Sequence, residues 1–246
     1  MADRVQIVCM KWGSKYDASY VNKLASMVRR HLARPHRFIC FTDDPTDLDA
    51  GVERHPLPEV ALPDGIPERG WRKLGIFQRN LADLQGSTLF LDLDVVIVDA
   101  LDPFFEHPGR FCIIRDYKAL RRDRYVGNSS VFRFEAGTDG WEGILETFVR
   151  DREAIRARFR NEQEYLSHYV HSSGALSHWP HAWCRSFKHD CMPGLPWAFF
   201  RTPRIPEGAR IIVFHGHPHP DEAIAGRSGS WKRHVRPTPW VAEHWR

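Results

Sequence analysis

Apolar positions follow two rhythms along this chain, and the switches between them predict its elements. Residues 5–10 form a mostly apolar run of strand length, and residues 12–15 after it read as a loop. Over 16–32, Tyr20, Val21, Leu24, Met27, Val28 and Leu32 recur at the spacing of an amphipathic helix. Residues 37–41 make a second strand that ends in the turn at 42–45. This β-α-β opening predicts a parallel sheet of the Rossmann-like α/β class, which presents ligand-handling loops at the carboxyl ends of its strands. A proline-rich excursion follows at Pro56, Pro58, Pro63 and Pro67. Then 71–84 reads as a helix with Trp71, Leu74, Phe77 and Leu81 on one face.

The segment 87–98, STLFLDLDVVIV, has the strongest apolar signal and reads as one buried strand interrupted by two aspartates. Downstream lie a turn into a short helix at 99–105, a strand at 110–115, a basic loop at 119–126 and a strand at 129–134. Residues 142–160 and 161–170 have helical spacing. The remainder is loop-rich and aromatic except for a strand at 211–214, which runs into His215. No repeat or linker divides the chain, so one domain over 1–246 is expected.

Composition narrows the picture only slightly. With 35 Lys+Arg against 31 Asp+Glu the net charge is +4, and the basic residues are interleaved with acids. That pattern disfavours nucleic acid as a partner and suits an anionic small substrate, with at most a peripheral membrane contact. No apolar run is long enough to span a bilayer, and the N-terminal segment lacks the features of a signal peptide. The five scattered cysteines read as reduced core thiols, and a cytoplasmic location is expected.

The chemistry concentrates at Asp92 and Asp94. If 87–98 is one strand, alternation puts both carboxylates on one side, their Cα atoms roughly 7 Å apart. Two such charges in an apolar setting repel one another, and a hard divalent cation such as Mn²⁺ or Mg²⁺ resolves the conflict. His215, delivered at the end of a strand, is a candidate third ligand. The set His181, Cys184, His189 and Cys191 has no standard zinc spacing, and His217 and His219 read as pocket lining. Asp116 and Glu162 are the candidate carboxylate bases.

In their order along the chain these residues resemble the GT-A glycosyltransferases, specifically glycosyltransferase family 8. The matching pieces are Tyr16, Trp71-Arg72-Lys73-Leu74, the DxD element Leu91-Asp92-Leu93-Asp94, Gly127-Asn128-Ser129-Ser130, Asn161-Glu162-Gln163-Glu164 and Phe214-His215-Gly216. The resemblance implies a single GT-A-like domain with a mixed, mainly parallel sheet. Its half 1–98 would bind nucleotide, and 99–246 would supply the acceptor side and a C-terminal metal-ligand loop. It also implies transfer of a sugar from a nucleotide-diphosphate donor, UDP-linked, to a saccharide, lipid or protein acceptor. Under that implication Asp92, Asp94 and His215 hold Mn²⁺ or Mg²⁺. Tyr16, Lys73, Asp92, Leu93, Asn128 and Ser129 contact the donor, and Glu162 and Gln163 face the anomeric carbon. The chain departs from the family at Glu162, where aspartate is usual, at Ser130, where glycine is usual, and in its missing Lys-Pro-Trp ending. Lys188 and Lys232 are alternative candidates to replace that last lysine, and the sequence does not choose between them.

Two other readings fit the same residues. Asp92-Leu93-Asp94-Val95-Val96 also resembles the haloacid-dehalogenase phosphatase motif, with Asp92 as nucleophile and Asp94 as acid/base. A non-catalytic module that only binds a sugar nucleotide is the other.

Overall fold

The computed structural model describes residues 4–62, 70–117, 125–227 and 234–246. Of the sequence features named above, Pro63, Pro67, the basic loop over 119–124 and Lys232 lie outside the described residues.

The opening unit forms as its pattern dictates. Strand β1 (Val5–Lys11) leads to helix α1 (Ala18–His31) and then to β2 (His36–Thr42), which lies parallel to β1. Asp17 caps α1 by accepting the Ser19 amide at 2.9 Å. A short edge strand β3 (Glu53–Pro56) pairs parallel to β2 inside the stretch that reads as loop. An edge position tolerates Pro56, because its missing N–H costs no ladder bond on the open side.

Three further expectations are corrected. The stretch 71–84 is not an α-helix but two tight turns, Trp71–Phe77 and Leu81–Asp83, with Asn80, Ala82 and Asp83 at positive φ. Its apolar spacing reflects burial instead. Trp71 is fully buried and stacks on Phe148 at 5.0 Å. A Cβ on Gly75 would lie 2.6 Å from the Pro58 ring, a separation too short for any larger residue. The stretch 87–98 is two strands. The first, β4 (Gly86–Leu91), belongs to the main sheet and the second, β5 (Val95–Ile97), to another, and the chain turns at Asp92-Leu93-Asp94. Finally, the helical stretch after 142 is three helices, α3 (Glu142–Arg150), α4 (Arg152–Arg158) and α5 (Glu162–Ser172). In sequence between β5 and α3 come α2 (Asp102–Glu106), β6 (Phe111–Arg115) and β7 (Gly127–Ala136). After α5 come β8 (Leu176–His178), β9 (Cys184–Ser186), β10 (Ile211–Val213), α6 (Pro220–Ala225) and α7 (Pro239–His244).

The main sheet has seven strands in the order β3-β2-β1-β4-β7-β6-β8. All neighbours are parallel except β7, which runs antiparallel to both β4 and β6. It is therefore the mixed, mainly parallel sheet expected. A second sheet has the order β5-β10-β9, with β10 antiparallel to β5 and parallel to β9. Alternation along β1 explains the layers. Val5, Ile7 and Cys9 face a core shared with α1, β5, β10 and α7, while Val8 and Met10 face one shared with Trp71, α3 and α5. All five cysteines are buried and free within this packing. Among the described residues no helix is long and apolar enough to cross a membrane.

Candidate active site

The carboxyl end of β4, the turn after it and the loop after β1 meet around a cavity of about 240 Å³. Met10, Trp12, Lys15, Tyr16, Gly70, Lys73, Asp92, Leu93 and Asp94 line it. Backbone bonds fix the two aspartates on both sides of the corner. The Asp92 amide donates to the Ser130 carbonyl of β7 at 2.9 Å, and the Asp94 carbonyl accepts the Phe214 amide beyond β10 at 2.9 Å. The pair thus spans the junction of the two sheets, and the strand alternation expected for it does not apply.

Each carboxylate has a separate partner. Lys73 Nζ lies 2.7 Å from Asp92 Oδ1 and 2.8 Å from Oδ2. Tyr16 donates its hydroxyl to Asp94 Oδ2 at 2.8 Å. Burial, followed by the Asp92 charge, pushes the Asp94 carboxyl up to about 6, against the pull of the Tyr16 hydrogen bond. Burial and the Asp94 charge drive the Tyr16 phenol upward, so it remains a donor. Its ring packs edge-on against His219 at 5.8 Å, and Lys15 Nζ lies 4.6 Å above it.

Lys73 also joins the pair to Glu162. Its ammonium is 3.9 Å from Glu162 Oε1 and donates to the Ser129 carbonyl and hydroxyl at 3.4 Å. Ser129 in turn donates its hydroxyl to Glu162 Oε1. Burial alone would lower the Lys73 pKa, but Asp92 and Glu162 outweigh it and the net shift is upward. Burial pushes Glu162 up, opposed by Lys73 and Ser129. The result is a chain of alternating charge, Asp92–Lys73–Glu162, that begins in the cavity wall.

The local sequence explains how Glu162 arrives there. Asn161 caps α5 through the Glu164 amide at 3.2 Å, which places Glu162 in the first helical turn. Ser167 accepts the Gly127 amide at 2.9 Å and donates to the Gln163 carbonyl at 2.6 Å, so the start of α5 is tied to the start of β7. Gly70, at φ +80°, backs the carboxylate. A Cβ there would lie 2.8 Å from Glu162 Oε2. The pairing of β6 with β7 shifts between Ile113 and Ile114, so Asn128 opposes Ile114 while Phe132 opposes Ile113. This irregularity brings Ser129 and Ser130 to the aspartates. Asn128 spends its Oδ1 on the Ser130 amide at 3.0 Å.

His215 occupies a neighbouring position. Its Nε2 lies 2.8 Å from Ser186 Oγ, and its ring stacks on Tyr117 at 5.2 Å and His189 at 5.6 Å. Lys188 Nζ donates to the His215 carbonyl at 2.8 Å. Among the described residues no group of three His, Cys, Asp or Glu side chains stands ready to enclose a metal ion. Asp92 and Asp94 still offer the donor set that Mn²⁺ or Mg²⁺ takes, because these ions bind one or two carboxylates and complete their shell with water and phosphate oxygens. Their shared cavity and the raised Asp94 carboxyl mark an anionic pair that the ion would relieve. The residues present therefore fit such an ion, with no preformed third protein ligand.

Sequence reasoning missed Met10, Lys15 and Gly70 in the cavity wall and the hold of Ser186 on His215. Lys15 stands next to Tyr16 in the loop after β1, the location where a parallel sheet collects ligand-facing residues, and that signal was available.

No protein-family model and no curated protein sequence matches the chain. Solved structures do. A galactosyltransferase, LgtC, in complex with donor and acceptor sugar analogues, superposes with a TM-score of 0.58 at 15% identity, covering 87% of this chain and 88% of that one. An active-site mutant of LgtC gives 0.56 at 13% identity, covering 97% and 94%. The GT-A-like fold expected from the motif order is therefore the fold observed. The phosphatase alternative needs the aspartates at the end of the first strand, whereas they follow β4.

Proposed function

We propose that this protein is a glycosyltransferase that moves a sugar from a nucleotide-diphosphate donor, UDP-linked, to a saccharide, lipid or protein acceptor. The observation that carries this reading is the DxD corner, set in a cavity at the carboxyl end of the sheet on the fold of LgtC. We take residues 1–246 as one catalytic unit, in the cytoplasm that five buried free thiols suit.

Asp92 and Asp94 would hold Mn²⁺ or Mg²⁺, with His215 joining them when its bond to Ser186 opens. The ion would supply positive charge at the departing diphosphate. Tyr16 holds Asp94 in place through its hydroxyl, and with Trp12 and Leu93 it walls the nucleotide side of the cavity. Lys73 is the basic group nearest the aspartates. In the ground state it balances Asp92 and Glu162, and it turns to the donor phosphates when they enter. Asn128 and Ser129 lie at the sugar side. Glu162 and Gln163 face the reacting sugar from the first turn of α5. The buried, Ser129-bonded carboxylate of Glu162 would place negative charge beside the reacting carbon. Lys188, beside His215, stands in for the absent C-terminal lysine as a phosphate contact.

Thermal-shift measurements with UDP, GDP, CMP and dTDP sugars, with and without Mn²⁺, test this reading. A metal-dependent rise with the UDP class is expected, and it should vanish in Asp94→Ala while that variant keeps a cooperative melt. A flat response to every nucleotide overturns the proposal. Metal-dependent binding without donor hydrolysis or transfer assigns the chain to the non-catalytic alternative.

A further inference from the structure

The loop after β9 carries an exposed aromatic surface that the transferase reading does not use. Leu195, Trp197, Phe199 and Phe200 all protrude, with Trp197 53% and Phe200 72% exposed. They are consecutive in the chain except for Pro196 and Ala198. Ala198 is buried and anchors the tight turn Trp197–Phe199 from below. The surface is therefore a built projection. Its base is tied down by the Ala198 amide to the Gly194 carbonyl at 3.2 Å and the Arg204 amide to the Cys191 carbonyl at 3.1 Å. The Trp240 indole donates to the Pro203 carbonyl at 3.0 Å.

Its rim is cationic. The Arg201 guanidinium lies 4.5 Å over the Trp197 ring, and Arg236 donates to the Phe199 carbonyl at 3.1 Å. His234 stacks on Phe199 at 4.6 Å. Arg204 adds a further charge, and no carboxylate occurs in the sequence between Asp190 and Glu207. Arg37 is paired with Glu53 and Arg185 with Asp190. In this loop the basic groups surround aromatic rings instead.

We propose that this projection docks the protein on the surface of an anionic lipid bilayer. Trp and Phe side chains settle at the boundary between headgroups and acyl chains, while arginines beside them meet the negative surface potential. The charge complementarity decides for lipid over a second copy of this chain, which would bring its own like-charged rim against this one. Attachment of this kind is peripheral and reversible, because the inserted area is a few side chains. It is independent of the transferase reading.

Co-sedimentation of the full chain with vesicles of phosphatidylcholine alone, or of phosphatidylcholine and phosphatidylglycerol in equal parts, tests the inference. Binding to the mixed vesicles alone is expected, weakening as salt rises. Trp197→Ser with Phe200→Ser should abolish it. Arg201→Ser with Arg204→Ser should lower the partition coefficient roughly thirtyfold, from the usual contribution of a basic residue at an anionic surface. All four positions are exposed, and circular dichroism checks that each variant remains folded. Wild-type protein left in the supernatant with mixed vesicles at low salt overturns the inference. So does a double aromatic variant that sediments like wild type. Light scattering that shows a dimer dissolved by Trp197→Ser with Phe200→Ser assigns the surface to a second copy and also overturns it.

Discussion

Replacing Lys73 by methionine keeps the side-chain stem and removes only the charge between Asp92 and Glu162. The three side chains are 12%, 22% and 6% exposed, and the ammonium stands 2.7 Å from one carboxylate and 3.9 Å from the other. At an effective dielectric near 20, those separations correspond to about 6 and about 4 kcal/mol of attraction, before the cost of desolvating the ammonium is set against them. Removing one partner from such a buried set leaves carboxylates uncompensated, and the usual net loss is about 3–5 kcal/mol. For a chain of this size that lowers the melting temperature by roughly 10 °C. The measurement is thermal unfolding in EDTA, repeated with a titration of Mn²⁺. In the wild type a divalent ion has to displace the ammonium from Asp92, whereas in Lys73→Met it meets a bare anionic site. Mn²⁺ should therefore raise the melting temperature more in the variant than in the wild type, by mass action on the folded state. Equal melting of the two proteins in EDTA would refute the charge-chain account. Equal Mn²⁺ increments in both would refute the idea that lysine and metal share Asp92.

Other consequences follow from single contacts. Gly70→Ala places a Cβ 2.8 Å from Glu162 Oε2 at a residue with φ +80°, and should lower stability by about 1–3 kcal/mol in urea unfolding, with donor turnover falling alongside. Unchanged stability would mean that Glu162 swings aside freely. Ser186→Ala removes the hydroxyl bound to His215 Nε2, and should strengthen Mn²⁺ binding if the freed imidazole serves as a ligand; calorimetric titration reads the change. On the sheet edge, the Arg37 hydrogen bond first, and then the His55 contact, hold the Glu53 carboxyl down to about 2 despite partial burial. Because the folded value lies below the ordinary one, this stabilisation is present above the usual glutamate range and is lost as pH falls toward 2. The stability gap between wild type and Glu53→Gln should therefore be constant at neutral pH and close progressively below about pH 4.5.

Where local periodicity and tertiary packing agreed, the sequence was readable. The β1-α1-β2 unit formed within a residue or two of its apolar pattern, because an amphipathic helix and a buried parallel strand each have a distinct rhythm. The stretch 71–84 failed because its helical spacing serves a different end. Trp71, Leu74 and Phe77 are buried under α3 and the sheet, Gly75 admits the Pro58 ring, and the helical course ends where Gln78 turns extended and Asn80 takes a positive φ. The alternating-charge chain was half legible. Resemblance points to Lys73, and Glu162 is also a candidate base by residue type, but their contact across 89 positions depends on the α5 cap and the β7 irregularity, which no local pattern encodes. The role of Tyr16 changed similarly, from a wall of the nucleotide site to a hydrogen-bond donor on Asp94 as well.

The corner at Asp92-Leu93-Asp94 shows why the strand reading had to fail where it did. A straight strand through 87–98 would carry two carboxylates through a layer whose neighbours, Leu91, Leu93, Val95 and Val96, are all buried. Desolvating both charges there would cost several kcal/mol with no partner for either. Leaving the main sheet at Leu91 gives each carboxylate a partner without wasting backbone bonds. Asp92 still pairs its amide with β7, and Asp94 already pairs its carbonyl with the residue after β10. Leu93 remains buried at the turn and holds it closed. Both carboxylates thereby line the cavity, one against Lys73 and one against Tyr16. The Tyr16 hydroxyl brings no charge and the Lys73 ammonium is shared with Glu162, so the corner remains anionic after both partners are counted. A site that has compensated its charge only in part, at the junction of two sheets that fix its backbone, is disposed to take a cation without rearranging the fold. That disposition is a property of this chain's own packing, and it stands independently of the reaction proposed for it.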